Sequence, residues 1–425
     1  MGTEITLDVA GTMLTYSKNG IGIDHGMLFQ DGDLIDFGEG DDRLNDWQFG
    51  EAFVRPLAKI LPRLSLLGYD IERARRNYKD VVAEDLEMRE AISDNDLQAH
   101  HMSFDEFRAF ATSVSLSDLS KDFIEGCDDR DEEQRRIMGR FDDEALKRRI
   151  PGYSPYDPNA YSEAGYFVDL IGILDPYLVL VLLGENPANL DAEISWNFGP
   201  LVSAGWARRE DFRAGARRRQ TFLIATEGTS DIGILKRALE LIYPDITDFF
   251  RFVDTAESHP FAGTGRMVNF AQGCARIDVQ NQILFLLDND AEGLDAKRRI
   301  ERLAMPANMA VLTLPDRAEL SAMPAVGPHG PAVADINGRA AAIECYLDLG
   351  RSGLPEPVIR WTAFKETVDA YQGVLQQKEA YSRAFFRDSA LPDYDLSKLR
   401  ALVSAIFSAC CRLSSNVASR ARHME

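Results

Sequence analysis

The chain of 425 residues contains no run of 18 or more apolar residues, so no membrane-spanning helix and no membrane partner is expected. Its longest apolar stretch, Tyr177 to Leu183, is bounded by Asp175-Pro176 and Gly184-Glu185. That stretch reads as a buried strand or a turn of core helix. The opening MGTEITLDV lacks a basic segment followed by an apolar one, so no secretory signal is expected. Cysteine is scarce: Cys127, Cys274, Cys345, Cys410 and Cys411 form no C-x-x-C pair, and an odd number suits no disulfide framework. A reducing, cytoplasmic setting is expected, with the five thiols as small buried hydrophobes. No G-x-x-x-x-G-K-[ST] sequence occurs, so any nucleotide-driven step would fall to a partner ATPase or sensor protein.

Basic residues are absent from one whole stretch: residues 151–200 hold 7 acids and no Lys or Arg. Residues 1–150 hold 33 acids against 19 bases, and residues 201–425 hold 28 of each. The net charge of −21 therefore belongs to the first 200 residues. A chain that acidic would repel nucleic acid if the charge were evenly spread, but the second half is neutral and free of that objection. The junction is basic, with Arg208, Arg209, Arg213, Arg217, Arg218 and Arg219 near Trp206. These form either a solvated face or a phosphate-contacting patch.

Alternating apolar residues and two turn signals predict a hairpin of two short strands within residues 1–30. Residues 31–46 read as a loop. Helical spacing predicts helices over 47–65 and 70–92, with Gly68 as a cap between them. Another is expected at 103–115, opened by the capping pair Ser103 and Glu106. Residues 117–150 read as solvent-facing helix or linker, and Pro151 to Pro158 as a break. From residue 221 short apolar strands alternate with helices: strands at 221–226, Phe249–Val253, Gln282–Leu287 and Met309–Leu314, helices at 230–243, Met267–Ala275 and 291–304. Alternation of this kind predicts a parallel sheet covered on both faces, with a ligand site beyond the C-terminal ends of its strands.

Two strand ends carry acid. Glu227 follows the first strand, and Asp288 and Asp290 follow the third. Converging carboxylates repel unless a cation neutralises them, and hard oxygen ligands suit Mg²⁺ or Mn²⁺. A strand ending in Glu-Gly, a helix, and a later strand ending in Asp-x-Asp resembles the Toprim domain, the metal-binding fold of topoisomerases, primases and OLD-type nucleases, over residues 220–315. More widely, MGTEITLDVAG, FVRPLAKILPRLSLLGYDIERA, DNDAEG, INGRAAAIECYLDL and RWTAF…YQGVLQQKEAY are similar to the family of HEPN/Toprim-associated proteins. The expected layout is an N-terminal HEPN/Toprim-associated domain at 1–115 (hairpin plus helices), an acidic helical or linker region at 116–219, a Toprim-like α/β domain at 220–320, and a C-terminal helical extension at 321–425 that completes the site. HEPN ribonucleases use an Arg-x4–6-His motif; none of the six histidines here has an arginine at that spacing.

The resemblance implies that Glu227, Asp288 and Asp290 bind metal and act in catalysis. It adds Asp231 and Glu344 as further ligands and Lys378 as the cation that neutralises a transition-state oxyanion. Each has a plainer reading: helix-cap carboxylates for Glu227 and Asp231, a surface acid for Glu344, a solvated lysine for Lys378. Gly263, Gly265 and Arg266 form a Gly-rich turn before a helix, able to cradle phosphate or merely to turn the chain. His259, in the same loop, enters only through the resemblance. The implied function is a Mg²⁺-dependent nuclease acting on DNA or RNA, tRNA among the candidates, with a role in anti-phage defence and room for homo-oligomers. The alternative is a non-catalytic sensor or assembly protein that binds metal or nucleotide. Strand transfer or priming ranks below both, because no nucleophilic tyrosine module or zinc ribbon is evident.

Overall fold

The computed structural model describes residues 3–37, 50–92, 101–125, 129–152, 160–252 and 263–421. The chain forms two compact units, Met1–Ala216 and Arg217–Glu425.

The first unit is built on a five-stranded antiparallel sheet. β1 (Glu4–Val9) and β2 (Thr12–Lys18) form the expected hairpin, its turn made by Ala10 and Gly11 with φ of 50° and 74°. β3 (Leu34–Phe37) and β4 (Gly50–Pro56) follow. Helices α1 (Leu57–Leu66), α2 (Ile71–Ile92), α3 (Phe104–Thr112), α4 (Arg130–Met138), α5 (Glu144–Lys147), α6 (Glu163–Ile171) and α7 (Pro176–Leu183) come next. β5 (Glu193–Asn197) then returns to the sheet, followed by the short α8 (Gly199–Ser203). The strand order is β2-β1-β5-β4-β3, so β5 supplies the middle of the sheet.

Several expectations are corrected. Gly50–Pro56 is a strand, not the start of a helix over 47–65. It is sandwiched between β3 and β5, and cross-strand pairing overrides the helical spacing of Phe53 and Leu57. Leu34–Phe37 is a strand where a loop was expected. The hairpin-plus-helices layout of 1–115 is incomplete without β5, and residues 116–212 pack into the same core as residues 5–111. Tyr177–Leu183 lies in α7 and so takes the helical one of its two expected readings. Asp175 caps it by accepting the Tyr177 N–H at 2.9 Å, and Pro176 occupies its first turn. It is apolar all round because it is nearly all buried. No single described helix is long and apolar enough to cross a membrane; α6 and α7 reach that composition only as a pair bent by 111°.

The Ser103–Glu106 capping box forms as expected, and Gly68 ends α1 with a φ of 79°. His101 and Arg89 both bond the Asp85 carboxylate, at 2.7 and 2.6 Å, fastening the end of α2 to the segment before α3.

The second unit opens on a parallel sheet. Its elements are β6 (Phe222–Ala225), α9 (Thr229–Ile242), β7 (Phe250–Phe252), α10 (Thr264–Arg276), β8 (Gln282–Leu287), β9 (Asn289–Asp290), α11 (Ala291–Glu301) and β10 (Met309–Thr313). The order is β10-β8-β6-β7, every pair parallel, as the strand–helix alternation predicts. Ile283, Phe285 and Leu287 of β8 pack against α10 and α11 through Met267, Ala271, Ala296 and Ile300. Leu284 and Leu286 are equally buried, because β8 is covered on both faces.

The expected helical extension at 321–425 is instead largely strand at first. β11 (Met323–Gly327), β12 (Gly330–Ala334), β14 (Ile359–Lys365) and β15 (Ala370–Leu375) form a second sheet ordered β12-β11-β14-β15. The two-residue β13 (Ala340–Ala341) pairs with β9. Only then do α12 (Lys378–Asp388) and α13 (Ser397–Ala421) follow, with α13 against β8, β10 and α9.

In the first unit, His25 is buried between Tyr177 and Trp196, its Nδ1 2.7 Å from the Tyr177 hydroxyl. Burial drags its imidazole from 6.5 to about 4, against a small upward pull from Asp24. An unfolded chain takes up this proton near pH 6.5 and the folded one only near pH 4. Stability is therefore complete above about 6.5 and falls as pH drops towards 4, by about 3 kcal/mol from this group. His25→Gln is expected to flatten that part of the acid slope, measured as urea midpoints across the window.

Candidate functional site

β6 ends at Ala225, and the chain passes through Glu227 and Gly228 into α9. Asp231 lies in the first turn of that helix and folds back on its start. Its Oδ2 accepts the Gly228 N–H at 3.0 Å, and Oδ1 accepts the Ser230 hydroxyl at 3.1 Å. β8 ends at Leu287, next to β6. The two-residue repeat of extended chain puts Asp288 and Asp290 on one side and Asn289 on the other. Asn289 is buried, donates to Asp316 at 2.7 Å and accepts the Gly338 N–H at 3.0 Å. These bonds lock the turn to the β13 segment. Asp290 caps α11 by accepting the Gly293 N–H at 2.7 Å.

Glu344 arrives from a different direction. The helical stretch expected around it is a single 3-10 turn, Ile343–Tyr346, and its side chain is buried rather than on the surface. Lys398 fixes that turn by donating to the Cys345 carbonyl at 3.0 Å. Lys378, the first residue of α12, places its ammonium 3.1 Å from Glu344.

The structure thus brings together Glu227, Asp231, Asp288, Asp290, Glu344 and Lys378. Their electrostatics record the crowding. Burial, then the Asp290, Asp231 and Glu292 charges, raise Glu227 to about 8, against a hydrogen bond from the Asp288 amide. Asp231 rises to about 6 through burial and Glu344, with Gly228, Ser230 and Lys378 pulling it back. Asp288 is pushed far up by burial and by Asp231, Glu227, Asp290 and Glu344. Asp290 rises through burial, moderated by its bonds to Gly293 and Gln372. Partial burial works against the Lys378 charge, but Glu344, Asp231 and Asp288 outweigh it and hold the ammonium above the usual range.

The oxygens differ in what they have left to give. Asp231 and Asp290 are spent on backbone N–H groups and side chains, whereas Glu227 Oε1 is buried with no hydrogen-bond partner. Among the described residues no three His, Cys, Asp or Glu side chains are drawn together at ligating spacing. An all-carboxylate oxygen set with one orphaned oxygen has the donor chemistry of a hard divalent cation.

Sequence reasoning passed over three neighbours. Gln372 of β15 donates to Asp290 Oδ2 at 2.6 Å while its Oε1 accepts the Glu292 N–H at 3.0 Å. Lys365 of β14 pairs with Glu292 at 2.8 Å. Glu292 in turn accepts the Thr264 hydroxyl at 3.4 Å. Gln372 and Lys365 sit in strands whose mixed exposure conceals them; Glu292 is visible in DNDAEG as one more acid after the Asp-x-Asp.

The remaining candidates are dispersed. Gly263 has a φ of 92° and precedes α10; Gly265 and Arg266 lie exposed in its first turn, and Thr264 links that turn to Glu292. His259 lies outside the described residues. Of the arginines, Arg208, Arg209 and Arg213 belong to the first unit and Arg217, Arg218 and Arg219 to the second. Arg209 is engaged internally, 2.8 Å from Glu51 and over the rings of Phe53 and Phe198. Arg208 pairs with Asp211 at 3.3 Å, and Arg213 donates to the Glu210 carbonyl at 3.0 Å.

Gly293 is the point where helix and turn meet most closely: a Cβ there would collide with the Asp288 carbonyl oxygen. Gly293→Ala is therefore expected to lower stability by roughly 1–3 kcal/mol, read as a fall in urea midpoint, and to displace Asp288.

Comparison with known proteins bears on the first unit. No curated protein and no solved structure matches the chain. The family model described as HEPN/Toprim N-terminal domain 1 matches residues 1–220, which takes in the whole first unit and more than half of the sequence. The chain belongs to the HEPN/Toprim N-terminal domain 1 family.

Proposed function

We propose that this protein is a Toprim-type nuclease that uses Mg²⁺ or Mn²⁺ to cleave phosphodiester bonds of DNA or RNA, tRNA among them, in antiviral defence inside the cell. One observation carries the reading: Glu227 after β6 and Asp288 and Asp290 after β8 meet at the same edge of a parallel sheet, with Glu227 Oε1 buried and unpartnered. The family's name points the same way, to a nuclease-related role.

Glu227 and Asp288 would hold the cation, since their oxygens are least committed, with Asp290, Asp231 and Glu344 around them. Such an ion supplies Lewis-acid stabilisation of charge on the phosphoryl oxygens. Gly293 and Gln372 orient the Asp290 carboxylate; Gly228 and Ser230 orient Asp231. Lys378 keeps its proton, is half exposed, and can offer that charge to a phosphoryl oxygen from beside Glu344.

Purified protein incubated with plasmid, single-stranded DNA and total tRNA should cut at least one of them in Mg²⁺ or Mn²⁺ and none in EDTA. Asp288→Ala or Asp290→Ala should reduce cleavage to background, and Lys378→Ala should lower kcat by roughly 10²–10³-fold. Cleavage retained in the Asp288 variant would sink the assignment. A second readout does not need a substrate: Asp288→Asn should melt higher than the parent in EDTA, because it replaces a carboxyl that burial and its acidic neighbours make costly to ionise. Mg²⁺ should raise the Tm of the parent and leave the variant's unchanged.

A further inference from the structure

We infer that the β14–β15 ribbon is a stacking platform for unpaired bases, which makes the substrate class of the proposed nuclease a single strand or an unpaired segment; the inference rests on that nuclease reading. The ribbon has two faces. Consecutive strand residues point to opposite sides, and here Lys365 and Gln372 grip Glu292 and Asp290. The residues just before them, Phe364 and Tyr371, are paired across the ribbon and half exposed. Their rings lie 5.1 Å apart edge-to-face, and Trp361 continues the row 6.1 Å from Tyr371.

Room for this row is built in. A Cβ on Gly373 or Gly327 would come within 2.8 or 2.9 Å of the Trp361 ring, so two glycines let the indole lie flat across the sheet. Phe364 and Tyr371, at the outer end of the row, are each 49% exposed, and exposed aromatics of this kind mark a surface made for contact.

The charge beside the row decides between occupants. Arg339 borders the ribbon: its carbonyl accepts the Gly373 N–H at 3.1 Å, and its backbone bridges to Asp290. Its side chain is exposed and has no hydrogen-bond or ion-pair partner among the described residues. A cation between an aromatic row and a carboxylate cluster fits a chain whose bases stack while its phosphates pass towards the site. A duplex, with its bases already stacked, gains nothing from the row.

The test reads binding without cleavage. Fluorescence anisotropy in EDTA compares fluorescein-labelled oligo-uridylate and oligo-thymidylate with a duplex of equal length. Single strands should bind tighter. The double variant Phe364→Ala/Tyr371→Ala should weaken single-strand binding at least roughly tenfold, Phe364→Tyr and Tyr371→Phe should preserve it, and Arg339→Gln should reduce the salt slope by about 0.7. Preference for the duplex, or single-strand binding indifferent to the double alanine variant, overturns the platform. If sedimentation shows that the same variant loses a dimer while oligonucleotide binding is intact, the row is a contact between copies and the inference falls. Neither result touches the metal-dependent cleavage assay, which stands or falls with Asp288.

Discussion

Mutual repulsion among carboxylates is the constraint around which the second unit is organised. Glu227, Asp231, Asp288, Asp290 and Glu344 are drawn from three separate parts of the chain, and the Lys378 ammonium offsets the charge of Glu344, Asp231 and Asp288. Such a cluster can persist only if stiff elements hold its members against their charge, or if protons or a cation relieve it. The structure uses stiffness: two neighbouring parallel strands, two helix starts that tie Asp231 and Asp290 to backbone N–H groups, and a buried Asn289 that pins the turn between the two aspartates. The raised proton affinities of Glu227 and Asp288 come first from burial and then from the neighbouring acids that stiffness holds in place.

The second sheet earns its place by supporting this cluster. Gln372 satisfies a side-chain oxygen of Asp290 and the backbone of Glu292 with a single amide, so the ribbon and the start of α11 position one another. Lys365 does the same for Glu292 through charge. The ribbon also reaches the turn through the backbone, since the Gly373 N–H donates to the Arg339 carbonyl just before β13, which pairs with Asn289 and Asp290.

The parallel sheet is legible because its strands are short, mainly apolar runs closed by polar turns, and because β8 has no exposed face to interrupt the run. Glu227, Asp288 and Asp290 could be placed from the same pattern: strand ends fix where a carboxylate goes. Gly50–Pro56 was misread because Phe53 and Leu57 keep helical spacing across a strand–helix boundary, and only the partners β3 and β5 decide the matter. β11 and β12 are hidden because each carries a Pro and a Gly, and β14 and β15 because their exposure is mixed, with Phe364 and Tyr371 among the exposed residues. Gln372 could not be found at all without the fold. An uncharged amide gives no pattern, and its importance lies wholly in what stands opposite.

The position of β5 has a consequence for how the first unit comes into being. It pairs with β1, the first strand, and with β4, yet it is reached only at residue 193. Well over a hundred residues separate β4 from β5, and without β5 neither the hairpin β1–β2 nor the pair β3–β4 has more than two strands, too few for a stable sheet. Closure must bring together segments nearly two hundred residues apart, a pairing of the slow, non-local kind. β5 lies within the acid-only stretch, whose like charges would disfavour association between chains that still lack this strand. The charge of this unit therefore bears on the unpaired chain as well as on the finished surface.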